Sequence, residues 1–293
     1  MESQSPKATI ELLKQNGFRF SKSMGQNFII DGNIPEKIVR LAGIDGSSGV
    51  LEVGSGIGAL TLALCKKAGH VVAVELDGRL MPVLSEAVSG RTNVEIIHGD
   101  ILKLDIKKLA KEKMTGFIPC VCANLPYNIT TPVLSAFIDA GVFETVTVMV
   151  QKEVARRMCA MPGSPDYGAF SVFVNYHTEA EIFFDVPPEC FMPRPGVFSS
   201  VVAMKARKER LLEPDDEAMF FRVVRASFEQ RRKTIVNALH AAFGNAIDKE
   251  EIAKSVAQCG HDPRARGETL GIDDFASIAM AIKKNIDENG LMM

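Results

Sequence analysis

The sequence predicts an α/β protein in which a doubly wound, mostly parallel sheet is followed by a small helical domain. Three observations support this. From residue 49, short apolar strands alternate with helices, which is typical of a parallel sheet covered on both faces. Two later strand-like segments are joined by a proline-rich loop. Beyond the charged stretch 205–216 the pattern is helical. We expect one domain over residues 1–205 and another over 206–293.

The elements of the first domain follow one another at short spacing. Segment GVLEVGSG is a buried strand that runs into glycines, ALTLALCKKAG is a helix, HVVAVELD is the next strand and GRLMPVLSEAV the next helix. Segments VEIIHGD, FIPCVCANLP and TVTVMVQ are further strands, with the helix TPVLSAFIDAG between the last two. The segments EAEIFFDVPP and VFSSVVAMKA are predicted to form an antiparallel pair at one edge of the sheet. KARKERLLEPDD is charged, contains proline and is typical of a linker.

Composition excludes several classes of protein. Hydrophobic residues make up 46% of the 293 residues, so a full core can form. No apolar run approaches the roughly 20 residues that span a bilayer, and the N-terminal stretch lacks the apolar centre of a signal peptide. The six cysteines show no C-x-x-C spacing, which favours free thiols in a reducing compartment over a zinc site. We therefore expect a cytoplasmic protein with no metal and no membrane partner.

The formal charge of −2 does not by itself indicate a nucleic-acid partner. A local cluster of basic residues in RVVRASFEQRRK, opposed by the single acid Glu229, is more informative. Two interpretations stay open: a solvated helix face, or a surface that faces RNA. The basic residues are Arg222, Arg225, Arg231, Arg232 and Lys233.

Glycines follow the first strand of the alternating region, in EVGSGIG. Gly54, Gly56 and Gly58 allow the backbone to approach a ligand closely, and the next helix begins directly behind them. With Ala59 the stretch also satisfies G-x-G-x-x-A, a nicotinamide fingerprint. A dehydrogenase therefore remains an alternative, although no His or Lys suited to hydride chemistry ends a strand; His98 comes nearest, and we expect it to be buried.

Acidic residues end the next two strands. Glu75 closes VVAVE, where a carboxylate can accept hydrogen bonds from both ribose hydroxyls of an adenosine moiety. Asp100 follows VEIIHG, where it can accept a hydrogen bond from the exocyclic amine of adenine. A helix-capping acid and a turn aspartate are the structural alternatives for these two residues.

The stretch ANLPYNITTP follows the fourth strand and has no use in hydride transfer. The N6 nitrogen of adenine is a poor nucleophile because its lone pair is delocalised into the ring. The side-chain oxygen of Asn124 and the carbonyl of Leu125 would accept hydrogen bonds from that amine and stabilise developing positive charge. Pro126 would fix the turn, and Tyr127 offers a face for an extruded base. Asn124 alone could instead make an Asx turn before a helix.

These motifs resemble those of the S-adenosylmethionine-dependent rRNA adenine N6,N6-dimethyltransferases over nearly the whole chain. The segments SMGQNFIID, EVGSGIG, VVAVELD, HGDIL and NLPYNITTP occur in the expected order. FMPRPGVFSS resembles the F-x-P-x-P-x-V-x-S element, and FEQRRKTIVNAL and RARGETLGIDDFASIA resemble the C-terminal helical region. Met24 and Ile29 stand where Leu is usual, and Thr131 where Ser is common. The similarity is greatest to the branch that acts on 16S rRNA and is linked to kasugamycin sensitivity.

The resemblance implies a Rossmann-like class I methyltransferase fold, a seven-stranded sheet with one antiparallel edge strand, and S-adenosylmethionine as cofactor without a metal. It implies methylation of two neighbouring adenosines in the 3′-terminal hairpin of 16S rRNA, within the small ribosomal subunit or its precursor, by a monomer. Phe191 would stack on the target base opposite Tyr127. The first domain would bind the cofactor, and the second would contact RNA. The implied cofactor contacts are Gln26, Asn27, Ile29, Gly54, Ser55, Gly56, Glu75, Leu76, Asp100, Ile101 and Asn124.

Two further alternatives remain. A large-subunit adenine methyltransferase that confers macrolide resistance would carry similar motifs, although RRKTIVNAL and RGETL favour the small-subunit branch. A ribosome assembly factor without catalysis would have no need of the acceptors at Asn124 and Leu125.

Overall fold

The computed structural model describes residues 6–15, 18–21, 25–209, 211–230 and 232–290. The chain divides into two compact units. The first, here the sheet unit, comprises Met1–Ala155 and Glu179–Ala206. The second, the helical unit, comprises Arg156–Thr178 and Arg207–Met293. The predicted boundary after residue 205 therefore needs a correction, because 156–178 belongs with the C-terminal helices rather than with the sheet.

Nine strands occur in the described residues. In chain order they are β1 (Phe28–Ile29), β2 (Ser48–Val53), β3 (His70–Glu75), β4 (Val94–His98), β5 (Ile118–Asn124), β6 (Thr145–Gln151), β7 (Thr178–Val186), β8 (Phe191–Met192) and β9 (Ser199–Ala206).

Seven of these strands form one sheet in the order β4-β3-β2-β5-β6-β9-β7. The pairs from β4 to β6 are parallel, and β9 runs antiparallel to β6. Strands β2, β3 and β5 are largely buried, because their apolar runs are covered on both faces as in other parallel sheets. The segments predicted to form an edge pair are β7 and β9, which are neighbours, with β7 at the edge.

Strands β1 and β8 form a separate antiparallel pair that the sequence analysis did not predict. Phe28 pairs with Met192 and Ile29 pairs with Phe191. The pairing ties the segment before the first helix of the alternating region to the proline-rich loop between β7 and β9. Segment 25–29 is thereby held at a fixed position beside the sheet.

Seven helices precede residue 159, and five more follow it. The first seven are α1 (Pro6–Gln15), α2 (Asn33–Leu41), α3 (Ala59–Cys65), α4 (Met81–Ala87), α5 (Ile106–Lys113), α6 (Thr130–Ala140) and α7 (Lys152–Met158). The others are α8 (Ala169–His177), α9 (Pro214–Glu229), α10 (Ile235–Phe243), α11 (Lys249–Gln258) and α12 (Ile272–Gly290). No helix in the described ranges is long and apolar enough to cross a membrane.

The helical unit has a hydrophobic core of its own. Phe220, Leu239, Phe275 and Ile282 are fully buried in it together with Tyr176 of α8. Local sequence supports the helices, since Thr234 and Asp248 cap α10 and α11 by accepting hydrogen bonds from backbone N–H groups. Tyr176 explains why 156–178 belongs here: its ring lies 4.8 Å from that of Phe220.

Candidate functional site

A cleft opens at the carboxyl ends of the parallel strands, where open α/β sheets bind ligands. Loops after β2, β3, β4 and β5 line it, and segment 25–29 completes it. All eleven predicted cofactor contacts line this cleft, as do Leu125, Pro126 and Tyr127. The lining residues are 25–29, 52–57, 59–60, 74–76, 80, 99–101 and 124–129.

The glycine loop after β2 is fixed by its neighbours on two sides. Gly56 has a φ of +58°, and its N–H donates a 2.7 Å hydrogen bond to Glu75 Oε2. A Cβ at Gly56 would lie 2.8 Å from the buried Phe28 ring, so no other residue fits without movement of that ring. At Gly54 a Cβ would lie 3.2 Å from Pro126 Cδ. The loop is thus packed against both segment 25–29 and the turn after β5.

Glu75 is buried at the end of β3 and is held by two backbone groups. Besides the Gly56 N–H, the N–H of Asp77 donates to Oε1 at 2.8 Å. Burial raises the pKa of Glu75 above its ordinary value, and the hydrogen bonds from Asp77 and Gly56 oppose that rise. An ionised carboxylate has about four acceptor positions, so Glu75 keeps capacity for a ligand's hydroxyl groups.

Asp100 and two apolar residues form the end of the cleft after β3 and β4. Asp100 accepts a 3.1 Å hydrogen bond from Leu102 N–H and caps a short 3₁₀ helix at Ile101–Lys103. Leu76 is 48% exposed although it is apolar, whereas Ile101 is buried. An exposed leucine beside a carboxylate suits a flat heterocycle with an amino group. His98 is exposed rather than buried as predicted, and its Nε2 lies 3.1 Å from the Leu76 carbonyl oxygen.

The turn after β5 brings the predicted acceptors into the cleft. Asn124 Nδ2 donates to the Asn27 carbonyl at 3.2 Å, which orients the amide and leaves Oδ1 as its acceptor atom. Leu125 is anchored by its buried side chain and by a 3.2 Å hydrogen bond from its N–H to the Met149 carbonyl. A Cβ at Gly54 would lie 3.5 Å from the Asn124 carbonyl oxygen. The Asn-Leu-Pro-Tyr turn and the glycine loop therefore share one site.

Tyr127 lies half-buried at the rim of this turn. Its hydroxyl is 2.6 Å from Ser199 Oγ at the start of β9. Burial raises the pKa of Tyr127, while the hydrogen bond with Ser199 lowers it. The hydrogen bond fixes the far end of the ring, so the ring is held in one orientation against the cleft.

Phe191 does not fit its predicted role in this conformation. Its side chain is 2% exposed and packs in the hydrophobic core of the sheet unit with Ile38, Leu64 and Met149. It is absent from the residues that line the cleft. Its ring therefore offers no face to a base opposite Tyr127, and its contribution here is to anchor β8 against β1.

Sequence reasoning missed two acidic residues. Glu52 on β2 lines the cleft, is 1% exposed and accepts a 2.6 Å hydrogen bond from Thr61 Oγ1. Asp77 is buried, accepts a hydrogen bond from Gln26 Nε2 at 2.8 Å and pairs with Arg79 at 2.6 Å. Asp77 thereby ties segment 25–29 to the loop after β3. A charged residue inside the apolar strand GVLEV was the available signal for Glu52.

The basic cluster of the helical unit is exposed where the structure describes it. Arg222 and Arg225 lie on α9, and Arg232 and Lys233 follow it. The guanidinium of Arg222 lies 4.9 Å from the centre of the Phe243 ring. Arg231 lies outside the described residues. Exposure is compatible with both interpretations of the cluster, a solvated face and an RNA-facing surface.

Cys65, Cys120 and Cys122 are buried thiols of the sheet unit and are poor nucleophiles. Burial raises the pKa of Cys65 to about 11, and it raises the pKa values of Cys120 and Cys122 as well. Within the described ranges, no group of three or more His, Cys, Asp or Glu side chains could hold a metal ion.

Comparison with known proteins identifies the family. The sequence profile described as ribosomal RNA adenine dimethylase matches residues 17–276. The chain belongs to the ribosomal RNA adenine dimethylase family. A relative from Geobacillus sp. (strain WCH70), named Ribosomal RNA small subunit methyltransferase A, is 46% identical over 95% of this chain and 97% of its own length. A relative of the same name from Clostridioides difficile (strain 630) is 42% identical over 96% of this chain and 97% of its own length.

Two solved structures support the dimethylase fold. A dimethyladenosine transferase from Plasmodium falciparum superimposes with a TM-score of 0.74 and 24% identity, over 88% of this chain and 98% of that one. The 23S rRNA methyltransferase ErmE superimposes with a TM-score of 0.68 and 24% identity, over 87% and 99% respectively. The predicted Rossmann-like fold class with a C-terminal helical region is confirmed.

Proposed function

We propose that this dimethylase transfers methyl groups from S-adenosylmethionine to N6 of two adjacent adenosines in the 3′-terminal hairpin of 16S rRNA. The products would be N6,N6-dimethyladenosines made during small-subunit biogenesis. The names of the relatives support the small subunit as the source of the substrate. One observation carries the proposed chemistry: the oriented amide of Asn124 lies in the same cleft as the glycine loop and Glu75.

The polar atoms of the cleft support S-adenosylmethionine as its ligand. Ser55 Oγ is buried at the glycine loop, and no partner in the described residues lies in hydrogen-bonding geometry with it. It is close enough to Glu52 to lower the pKa of that carboxyl group. Such an atom suits a ligand that brings its own polar group. Glu75 would hold the ribose hydroxyls, and Asp100 and Leu76 would hold the adenine. Glu52 would face the cationic methionine end.

The cofactor, when bound, supplies a methyl group that is already activated by the sulfonium. The chain therefore needs to orient the acceptor nitrogen and stabilise the charge that develops on it. Asn124 Oδ1 and the Leu125 carbonyl would accept hydrogen bonds from the N6 amine and draw it towards a tetrahedral geometry. Their positions are fixed by Asn27 and Met149 respectively.

Tyr127 would hold the extruded adenine by stacking, a contact worth about 1–3 kcal/mol per base. The partner opposite this ring is not Phe191 in the present conformation, since that side chain is buried. The proton would leave to water, because an N-methylated adeninium is acidic.

The helical unit would contact RNA through its exposed basic residues, including Arg222 and Arg225 on α9. The sheet unit would bind the cofactor, and the protein would act as a monomer in the cytoplasm. Replacement of Arg225 by alanine should then weaken binding to small subunits without altering cofactor affinity, and should lower the slope of log affinity against log salt.

Asn124→Ala tests the central residue. We expect this variant to lose methylation of unmethylated small subunits by at least 100-fold, a loss typical of removing one group that stabilises developing charge. Binding of S-adenosylhomocysteine should persist, because the glycine loop and Glu75 remain. Radiolabel transfer and calorimetry measure the two effects, and Asn245→Ala, an exposed asparagine of the helical unit, is the control. Full activity of Asn124→Ala would refute the role given to Asn124.

The alternatives are separated by two further measurements. Mass spectrometry of both ribosomal RNAs after incubation identifies which of the two is methylated. Modification of 23S rRNA alone would favour a macrolide-resistance enzyme. Thermal-shift titration with NAD and with S-adenosylmethionine tests the remaining dehydrogenase alternative. We expect only the second compound to raise the midpoint of unfolding.

A further inference from the structure

Phe198 is an exposed aromatic residue beside the cleft, and it has no role in the chemistry proposed above. All 17 phenylalanines and 3 tyrosines lie in the described ranges, and the chain has no tryptophan. Phe198 is the only one of these aromatic residues that is exposed, at 48%. Single exposed aliphatic residues are ordinary on protein surfaces. The position of the one exposed ring is therefore informative.

The exposure of Phe198 is not a consequence of a loose backbone. Its carbonyl accepts a 2.9 Å hydrogen bond from Lys152 N–H at the start of α7. The next residue, Ser199, pairs with Gln151 in the sheet and is fully buried, as is Ser200. The backbone thus presents the ring to solvent from a fixed position, at little cost in conformational entropy for a partner that binds it.

The position is continuous with the proposed base-binding site. Ser199, which directly follows Phe198, bonds through its Oγ to the hydroxyl of Tyr127 at 2.6 Å. Tyr127 lines the cleft. Phe198 therefore directly precedes Ser199, the residue whose hydroxyl fixes the Tyr127 ring on which the target base would stack.

A lysine ammonium lies close to the Phe198 ring, and an exposed arginine lies in the same loop. Lys152 Nζ lies 5.8 Å from the centre of the Phe198 ring and also pairs with Asp185. Arg194, in the same proline-rich loop, is exposed and lies 3.6 Å from Glu189. Proteins that bind single-stranded nucleic acids combine an aromatic face with a cation, because the bases stack on the ring and the phosphates pair with the cation.

We propose that Phe198 stacks on the base of the nucleotide next to the target adenosine. This inference rests on the proposed function. Extrusion of an adenine leaves its neighbour without a stacking partner on one face. An exposed ring on the residue before Ser199, which bonds to Tyr127, can replace that partner. Phe198 is then a binding residue that selects RNA in which the target adenine is extruded. Val197, which is also exposed, would extend the apolar surface.

Kinetics on unmethylated small subunits test the proposal. Phe198→Ala should raise the KM for subunits about 10-fold, within the range expected for the loss of one base stack, while the KM for S-adenosylmethionine stays unchanged. Phe198→Trp should restore the KM, because an indole stacks at least as well. The control is Ile118→Ala, which removes an exposed apolar side chain at the opposite end of β5 from Asn124. A Phe198→Ala variant with the KM of the wild type, or a control that behaves like it, would overturn the inference.

Cross-linking identifies the partner class. A photoreactive phenylalanine analogue at position 198 should cross-link to a nucleotide adjacent to a methylated adenosine, as mapped by mass spectrometry. Attachment to a ribosomal protein, to distant RNA, or to nothing would overturn the proposal. These failures differ from failure of the proposed function, since in that case wild-type protein would not methylate the subunits at all.

Discussion

Glu52 is a carboxyl group buried inside a strand, directly before the glycine loop. Burial raises its pKa from 4.5 to about 7, against the opposing hydrogen bond from Thr61. Between these two pH values the folded protein binds a proton that the unfolded chain releases. Protonation of Glu52 therefore contributes its full amount to the free energy of unfolding below a pH of about 4.5. This contribution is lost as the pH rises through about 7.

Glu52→Gln should remove this pH dependence. Because glutamine never ionises, the variant should gain stability relative to the wild type as the pH rises from 5 to 8, by up to about 3 kcal/mol. Urea unfolding at both pH values measures the difference. Glu112→Gln removes an exposed glutamate on α5 and should leave the pH dependence as it is in the wild type. An unchanged difference between pH 5 and 8 in Glu52→Gln would contradict the assignment.

Single residues were predictable where a short motif fixed both their identity and their place. Asn124 and Glu75 end strands and Asp100 follows one, so the sheet itself brings them to one edge. The orientation of Phe191 was not predictable, because a motif gives an aromatic residue but not the direction of its ring. That direction depends on the packing of β8 against β1, which joins residues far apart in sequence.

At the scale of elements, the glycine loop and segment 25–29 form one packed arrangement. The Phe28 ring packs against Gly56 on one side, and the Gly56 N–H donates a hydrogen bond to Glu75 on the other. The β1–β8 pair holds Phe28 in place. This pair has only two residues per strand, and such short strands carry no periodicity from which sequence could predict them.

Gly56→Ala should weaken both folding and cofactor binding. A positive φ costs a non-glycine residue about 1–2 kcal/mol, and the new methyl group must also displace Phe28. Affinity for S-adenosylhomocysteine should fall at least 10-fold by calorimetry. Gly90→Ala isolates the backbone contribution, because Gly90 has a φ of +83° and nothing within 4 Å of a Cβ. Equal behaviour of the two variants would show that contact with Phe28 has no influence.

At the scale of the whole molecule, the chain builds two cores. Alternation of strands and helices predicted the sheet unit because each parallel pair requires a crossover connection. Assignment of 156–178 to the helical unit was beyond sequence analysis. An apolar pattern such as that of α8 predicts that a face is buried but does not identify the core that buries it. Tyr167 illustrates this, since its hydroxyl bonds to the Leu270 carbonyl more than a hundred residues later.

Phe275→Ala should destabilise the helical unit selectively. Phe275 is fully buried, and truncation of a buried phenylalanine costs about 3–5 kcal/mol. Hydrogen exchange should accelerate in 156–178 together with 207–290, and much less in β2 to β6. Leu64→Ala, in the core of the sheet unit, should give the reverse pattern. Uniform acceleration across both units in either variant would mean that the two cores unfold as one.

The division of the chain also limits how the protein can be shortened. The backbone passes between the two units three times, at 155–156, 178–179 and 206–207. A truncation after residue 206 would delete α9 to α12 but leave Tyr167, Val172 and Tyr176 without the core that covers them. An isolated sheet unit would therefore require excision of an internal segment and a new linker across the gap, whereas trimming from the C-terminus alone would produce an aggregation-prone fragment.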